Sequence, residues 1–166
     1  LYEYLSKRPN IGIVVPKLLN PDLTVQHSVR RFISTRILLF RIFYKGRDNV
    51  RSKVIDDYLL KNFDTEKVQP VDWALGAALF LTRDLYDELN GFDEDYFLYV
   101  EDVDFCLRNW KSGRQVIYYP ESVMIHAHQR SSARGLFSKS KKLHLKSMLI
   151  FFIKHGVWYK RYSFMS

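Results

Sequence analysis

The sequence has very little of two features that decide cellular context: cysteine and long hydrophobic runs. Cys106 is the single cysteine in 166 residues, so an internal disulfide is excluded, as is typical of proteins in a reducing compartment. The longest apolar run, residues 148–153, is far shorter than the roughly 20 residues that a transmembrane helix needs. The sequence contains no internal repeat or low-complexity tract. Its length and 47% hydrophobic content indicate one globular domain.

Acidic residues are scarce over most of the chain and concentrated in one segment. The formal net charge is +8, yet nine of the 18 acids lie between Asp84 and Asp104, where no lysine or arginine occurs. Crowded carboxylates repel each other unless a metal, a cationic substrate or a catalytic task holds them there. We therefore expect the chemistry of this protein in that segment. The basic remainder of the chain favours anionic partners or is simply a solvated surface.

Strand-like and helix-like segments alternate along the chain, which predicts an α/β layered fold with sites at strand ends. The first predicted strand ends at Pro16, and the polar segment 45–67 predicts a loop around a short helix. The chain begins with Leu1 inside a predicted helix, so we expect it to be part of a longer protein. The predicted strands are 11–15, 25–32, 76–81, 116–119 and 123–125, and the predicted helices are 1–5, 35–44, 53–60, 82–89, 103–111 and 136–154.

Glu101 and Asp102 lie at the predicted N-terminus of the helix that ends at Lys111. Backbone N–H groups and the helix dipole stabilise negative charge there, so they would keep Asp102 ionised, as a general base must be. The alternative is that the pair only caps the helix and that Asp104 forms an ion pair with Arg108, four residues on.

Two histidines follow the strand that ends at Ile125. His126 and His128 would face the same side of an extended strand, and a histidine beside carboxylates can bind a divalent metal. The spacing matches no zinc motif, and a structural role remains the alternative.

Aromatic side chains surround the acidic segment: Trp73, Phe92, Tyr96, Phe97 and Tyr99. Carboxylates between aromatic faces are typical of a sugar-binding site, and we assign Tyr99 to the predicted substrate site. Core packing is the alternative for most of them, Phe92 and Phe97 in particular.

The helix that begins at Leu136 is basic in its first half, with Lys139, Lys141, Lys142 and Lys146. Such a helix can lie on an anionic membrane surface or can simply bury one face against the domain, and the sequence leaves both open.

An ordered series of motifs gives the chain a family resemblance. The series comprises Val71-Asp72-Trp73, Gly76-Ala77, Arg83, Gly91-Phe92-Asp93-Glu94, Phe97-Leu98-Tyr99, Glu101-Asp102-Val103-Asp104, Leu107-Arg108, Gly113, Pro120 and His126. In this series the chain resembles the inverting glycosyltransferases of family 2, in the bacterial rhamnosyltransferase-like branch. Weaker likeness extends over residues 12–32 and 147–156.

The resemblance implies a GT-A fold, a mixed sheet with flanking helices, and transfer of a sugar from a nucleotide donor to an acceptor hydroxyl with inversion. It implies that Asp102 is the catalytic base and that Glu101 orients Asp102 or the acceptor. His126 falls where some members bind the divalent metal, Mg or Mn, of the donor diphosphate.

The remaining site residues implied by the resemblance are Asp72, Trp73 and Gly76, in the segment that lines the donor–acceptor junction. Family members also carry an N-terminal nucleotide-binding half with an Asp-x-Asp-type metal motif, which this chain lacks. Residues 20–22, Asn-Pro-Asp, resemble that motif only superficially and fit a later turn better. We therefore expect this chain alone to be inactive.

These observations predict two parts of one domain: an acceptor-side part of a glycosyltransferase, 1–135, and a C-terminal basic and aromatic helical extension, 136–166. The expected partners are a nucleotide-sugar donor, a glycan or lipid-linked glycan acceptor and a peripheral membrane contact, without nucleic acid. The expected location is cytoplasmic, at the inner face of the bacterial plasma membrane. The alternatives are a truncated transferase that binds glycan without turnover and a basic module that binds membranes or nucleic acid.

Overall fold

Helices and short strands alternate in the structure, a computed structural model that describes residues 1–44, 52–127 and 139–156. This order confirms the predicted mixed α/β class. The strands are β1 (Ile11–Leu19), β2 (Val29–Arg30), β3 (Gln69–Pro70), β4 (Trp73–Ala74) and β5 (Gln115–Ile125). The helices are α1 (Tyr2–Ser6), α2 (Thr35–Phe43), α3 (Lys53–Tyr58), α4 (Arg83–Glu88), α5 (Glu101–Lys111) and α6 (Lys139–His155).

Strand β5 is the centre of the larger sheet. It pairs parallel with β1 and antiparallel with β3, which gives the order β1-β5-β3, and β2 pairs antiparallel with β4 in a second, two-stranded sheet. The first six residues of β1 are all buried, as expected of an apolar strand in a parallel pair that is covered on both faces.

Two prolines that were predicted to end strands lie inside them instead. Strand β1 continues through Pro16 to Leu19, and β5 is one strand that runs through Pro120. The pairing passes from Pro16↔Tyr119 directly to Lys17↔Val123, so both prolines lie at one irregularity of the ladder. A proline is tolerated at such an irregularity because its missing N–H falls where regular pairing is already interrupted.

The predicted strands at 25–32 and 76–81 are wrong over most of their length. Only Val29 and Arg30 form β2, and Val25 makes a single bridge to Leu19. Gly76 lies in a turn, and Phe80 makes an isolated bridge to Val14. The turn forms because the Gly76 N–H is used by a side chain of α5, described below, and not by a neighbouring strand.

Local capping residues define the shorter helices as the sequence predicts. The hydroxyl of Thr82 accepts a hydrogen bond from the Leu85 N–H at the start of α4. Asn90 and Gly91, which follow the end of that helix, both have positive φ. Helix α5 begins at Glu101, two residues before its predicted start. The first three residues of the predicted helix 136–154 lie outside the described residues.

Helix α5 is the centre of the hydrophobic core. Phe105, Cys106 and Leu107 are fully buried, and from α6 the ring of Phe151 is equally buried in the same core cluster. Burial raises the pKa of the Cys106 thiol to about 12, so this cysteine is an inert core residue.

Within the described ranges no helix is both long and apolar enough to cross a membrane. The division of the chain at residue 135 stays a prediction.

Candidate active site

The first turn of α5 places Asp102 against the turn that follows β4. One carboxylate oxygen, Oδ2, accepts a hydrogen bond from the Gly76 N–H at 2.9 Å, and Oδ1 accepts one from the Val103 N–H at 2.8 Å. A Cβ atom at position 76 would lie 3.4 Å from the Asp102 Cβ, an ordinary van der Waals contact. The backbone hydrogen bond, and not the absence of a side chain at position 76, therefore defines this approach.

The backbone immediately before the Glu101–Asp102 pair is strained. Tyr99 and Val100 are consecutive non-glycine residues with positive φ, +62° and +76°. A β-branched residue in this region is a genuine outlier and costs about 1–3 kcal/mol, which persists only where the surroundings hold it. Helix α6 supplies part of that hold, since the Ser147 hydroxyl donates to the Leu98 carbonyl at 2.9 Å. This backbone conformation sets the direction in which the chain runs into α5 at Glu101 and Asp102.

Burial and the helix N-terminus act in opposite directions on Asp102. Burial raises the pKa of Asp102, and the hydrogen bonds from Gly76 and Val103 and the charge of Arg30 only partly oppose this effect. That Asp102 is ionised when it acts as a base stays a prediction. A raised pKa strengthens a carboxylate as a proton acceptor.

Glu101 is a second half-buried acid beside Asp102. Burial raises its pKa too, and the charge of Asp102 acts in the same direction. Its buried Oε2 accepts no hydrogen bond from any described residue. The arrangement leaves Glu101 as an oxygen acceptor that could receive a donor from a bound molecule.

Arg30 joins this group, although sequence reasoning did not single it out. It pairs with Trp73 across β2 and β4, and its guanidinium carbon lies 5.7 Å from the centroid of the Trp73 ring. The sequence feature that could have pointed to Arg30 is the pair Arg30-Arg31, which lies within the region of weaker family likeness. The pair alone gives no indication that the two side chains differ in role.

Asp72 and Trp73 form the framework behind the site. The side chain of Asp72 is 2% exposed; its Oδ2 accepts from the Phe32 N–H at 2.8 Å, and its Oδ1 lies 3.8 Å from Arg31 Nη1. Trp73 Nε1 donates to the Arg31 carbonyl at 2.8 Å. These bonds fix β2 against β4. A direct contact of Asp72 or Trp73 with substrate stays a prediction.

The aromatic residues of the acidic segment divide between core and surface. Tyr96 is buried and Tyr99 is half-buried, with its ring 5.1 Å from that of His144 on α6. Phe92 packs one side of its ring on Phe105 but is 40% exposed, so it lies at the edge of the core and not within it. Phe97 is 76% exposed, so the interpretation of this residue as core is wrong. The substrate-binding role of Tyr99 stays a prediction.

His126 lies directly after β5. Its backbone N–H donates to the Leu19 carbonyl at 2.8 Å, and its ring Nδ1 lies 2.9 Å from Oε1 of Gln26. His128 lies outside the described residues. Among the residues that the structure describes, no three potential metal ligands come together. Asp22 closes a turn by accepting from the Thr24 N–H and hydroxyl.

The other acids of the segment are mostly paired with cations. The buried carboxylate of Asp104 contacts Arg108 Nε at 2.7 Å and His155 Nε2 at 2.6 Å, which confirms the predicted Asp104–Arg108 pair. Lys154 on α6 bridges Asp93 and Asp95 at 2.5 and 2.6 Å. The acidic segment is therefore not one metal site, because basic residues of α5 and α6 neutralise a large part of it.

Comparison with known proteins identifies the class to which this site belongs. Residues 26–162 match the glycosyl transferase family group 2, and the chain belongs to this family. Its relatives place it in the rhamnosyltransferase-like branch, within polysaccharide biosynthesis.

Two relatives illustrate this branch. The chain is 26% identical over 166 residues to the N-acetylglucosaminyl-diphospho-decaprenol L-rhamnosyltransferase of Mycobacterium tuberculosis (strain CDC 1551 / Oshkosh), an alignment that covers 96% of this chain and 52% of that protein. It is 29% identical over 156 residues to the rhamnosyltransferase WbbL of Escherichia coli (strain K12), covering 78% of this chain and 58% of that protein. The chain thus spans about half the length of these relatives. No solved structure matches it.

Proposed function

We propose that this chain is the acceptor-side part of a GT-A-type inverting glycosyltransferase, which transfers a sugar from a nucleotide-sugar donor to a hydroxyl group in bacterial surface polysaccharide synthesis. The rhamnosyltransferase names of the relatives favour rhamnosyl transfer to a lipid-linked glycan. The single observation that carries the proposal is Asp102, a half-buried carboxylate of raised pKa held by the Gly76 N–H at the mouth of the two-stranded sheet.

Asp102 acts as the general base of the reaction. Its carboxylate takes the proton of the acceptor hydroxyl while that oxygen forms the new bond to the anomeric carbon. The bond from that carbon to the donor diphosphate breaks on the opposite face, so the configuration inverts. The two backbone N–H groups on Asp102 hold the carboxylate in one orientation, which proton transfer in a fixed geometry requires. Glu101 accepts a hydrogen bond from the acceptor, and Tyr99 supplies aromatic surface for the sugar, with the buried Trp73 as the framework behind it.

His126 is the residue of this chain that would hold a divalent metal. The amide of Gln26 is oriented by its Nε2, which donates to Asn20 Oδ1 at 2.8 Å, so Gln26 Oε1 faces the ring. In this pairing His126 Nδ1 donates to Gln26, so Nε2 is the ring nitrogen through which a metal would be held. A bound Mg or Mn would offset the charge that the leaving diphosphate gains.

The metal assignment is tested by the binding of Mn²⁺ to the protein, followed by water proton relaxation. His126→Ala should weaken binding, whereas the exposed His27 offers a matched control in His27→Ala. An identical titration of the His126→Ala variant and the unchanged protein would remove His126 from the site.

Helix α6 is the part of the chain that we expect to touch the membrane. Its exposed face carries Leu145 (73% exposed), Leu149 (60%) and Ile153 (75%) next to exposed Lys142 and Lys146. An apolar stripe with lysines beside it is suited to the surface of an anionic bilayer, which supports our proposal of a location at the inner face of the plasma membrane.

This membrane contact is tested by sedimentation with vesicles. The protein should bind vesicles that contain phosphatidylglycerol and not those of phosphatidylcholine alone, and a double change of Leu145 and Leu149 to Ser should abolish binding. Equal binding of this variant and the unchanged protein would place the contact elsewhere.

The proposed activity is tested with the chain joined to a nucleotide-binding half from a relative. Transfer of a labelled sugar from nucleotide sugars to a lipid-linked acceptor supports the proposal. Acceptor binding without transfer, by a folded hybrid protein that still binds the nucleotide, supports the second candidate, a glycan-binding protein without turnover. The unfavoured third candidate, a nucleic-acid-binding module, requires salt-dependent binding of random DNA.

A further inference from the structure

Two arginines that are neighbours in the sequence have different surroundings in the structure. Arg31 is buried, 8% exposed, and lies beside the carboxylate of Asp72, so it belongs to the framework between β2 and β4. Arg30 is only half-buried and lies on the other face of the strand, over the ring of Trp73. Arg30, unlike Arg31, has therefore no evident part in holding the fold.

Among the described residues, the guanidinium of Arg30 forms no ion pair, although its charge acts on nearby Asp102. Its Nε is buried, and within the same residues no acceptor bonds to it. A cation without a hydrogen-bonded acceptor is costly, so an anion that contacts this half-buried side chain would be stabilised there.

The position of Arg30 ties this donor to the proposed chemistry. Trp73, under the guanidinium, lies three residues before Gly76, whose N–H holds Asp102. The charge of Arg30 is close enough to lower the pKa of Asp102. An anion bound by Arg30 would therefore lie beside the place where the acceptor hydroxyl loses its proton.

We propose that Arg30 is an anion-binding residue of this site and that its ligand is a diphosphate group. The choice of diphosphate rests on the proposed function, in which the donor releases one and a lipid-linked acceptor carries another. The planar guanidinium suits such a ligand because its N–H groups match the spacing of phosphate oxygens. The Trp73 ring keeps the guanidinium in one plane against the sheet.

The binding of inorganic pyrophosphate, measured by isothermal titration calorimetry at low ionic strength, tests this proposal. Arg30→Gln should weaken binding by about 10–100-fold, the effect of losing hydrogen bonds to a charged group. Arg30→Lys should give an intermediate affinity, because the charge remains and the planar donor set is lost. Thermal unfolding of each variant checks that the fold is kept.

Arg114→Gln is the matched control. It removes the same charge beyond the other end of α5, which extends about 14 Å from Asp102 to Lys111, and there Arg114 pairs with Glu88. This variant should bind pyrophosphate like the unchanged protein. Equal losses in the two glutamine variants, or an unchanged affinity of Arg30→Gln, would overturn the proposal, as would the absence of pyrophosphate binding to the unchanged protein.

Two further titrations identify the source of the diphosphate. A nucleoside diphosphate represents the donor, and a short-chain prenyl diphosphate represents the acceptor. A loss of affinity for either ligand in Arg30→Gln supports the anion site and names its source, whereas no loss for both overturns it. Because binding is measured without turnover, failure of the transferase assay would not contradict an Arg30-dependent pyrophosphate site. Failure of the pyrophosphate titration would likewise not contradict the proposed transferase activity.

Discussion

The two carboxylates Asp102 and Asp104 lie two residues apart on α5 and have opposite surroundings. Asp104 faces α6, where burial would raise its pKa but contacts with His155 and Arg108 hold it below its ordinary value. Asp102 faces the turn after β4, where its hydrogen bonds within the described residues come from backbone N–H groups, Arg30 acts on it through charge alone, and burial raises its pKa. Acids that a fold needs for stability are given cationic partners, and an acid without one is a candidate for chemistry.

The largest expected effect concerns Asp102. In a complete enzyme, Asp102→Asn should reduce turnover by about 10²–10⁴-fold, the contribution of a general base. Its free energy of unfolding at pH 7 should not fall, because a carboxyl whose folded pKa is raised is penalised once pH exceeds that pKa. Steady-state transfer kinetics and urea unfolding measure the two quantities. Near-normal turnover would remove Asp102 from the role of base.

The reverse pattern is expected of Asp104. Asp104→Asn should lower the free energy of unfolding by about 3 kcal/mol at pH 7, since it leaves Arg108 and His155 without their buried partner. The folded pKa of Asp104 is depressed, so its contribution is full above the unfolded pKa near 3.8 and is lost as pH falls through the folded value. Urea unfolding at pH 7, 5 and 3 should show that the difference in free energy of unfolding between Asp104→Asn and the unchanged protein decreases only between pH 5 and pH 3. An equal difference at all three pH values would contradict the ionic account.

The smallest expected effect is at the surface of the same segment. Lys154→Ala breaks the bridge to Asp93 and Asp95, both partly exposed, and should lower the unfolding midpoint less than Asp104→Asn does. The difference from the unchanged protein should vanish near 1 M salt, where the Debye length is about 3 Å. A shift that persists in high salt would show that packing of the lysine stem, and not its charge, holds α6 to the acidic segment.

Features set by neighbours in the sequence could be predicted well. The cap at Thr82, the positive φ at Gly91 and the Asp104–Arg108 pair all depend on residues within a few positions. Each involves one helix end or one helical turn, so local chemistry decides the outcome.

Features set by distant residues were missed or mistaken. The strand predicted at 76–81 became a turn because a side chain 26 positions away takes the Gly76 N–H. The burial that raises the pKa of Asp102 was likewise not evident from the sequence, because it depends on the turn packed against α5. Arg30 could not be separated from Arg31 by sequence, because only the packing of β2 on β4 shows which arginine has a carboxylate beside it.

The parallel pairing of β1 with β5 has a consequence for folding during synthesis on the ribosome. Strand β1 leaves the ribosome with its apolar residues exposed, and its partner begins only at Gln115. At about 5–20 residues per second, the nascent chain waits several seconds before that partner emerges. During this interval β1 lacks its β5 partner, and the edge that β5 later covers is open to association with other chains. Capture of the early nascent chain by a chaperone should therefore raise the yield of folded protein.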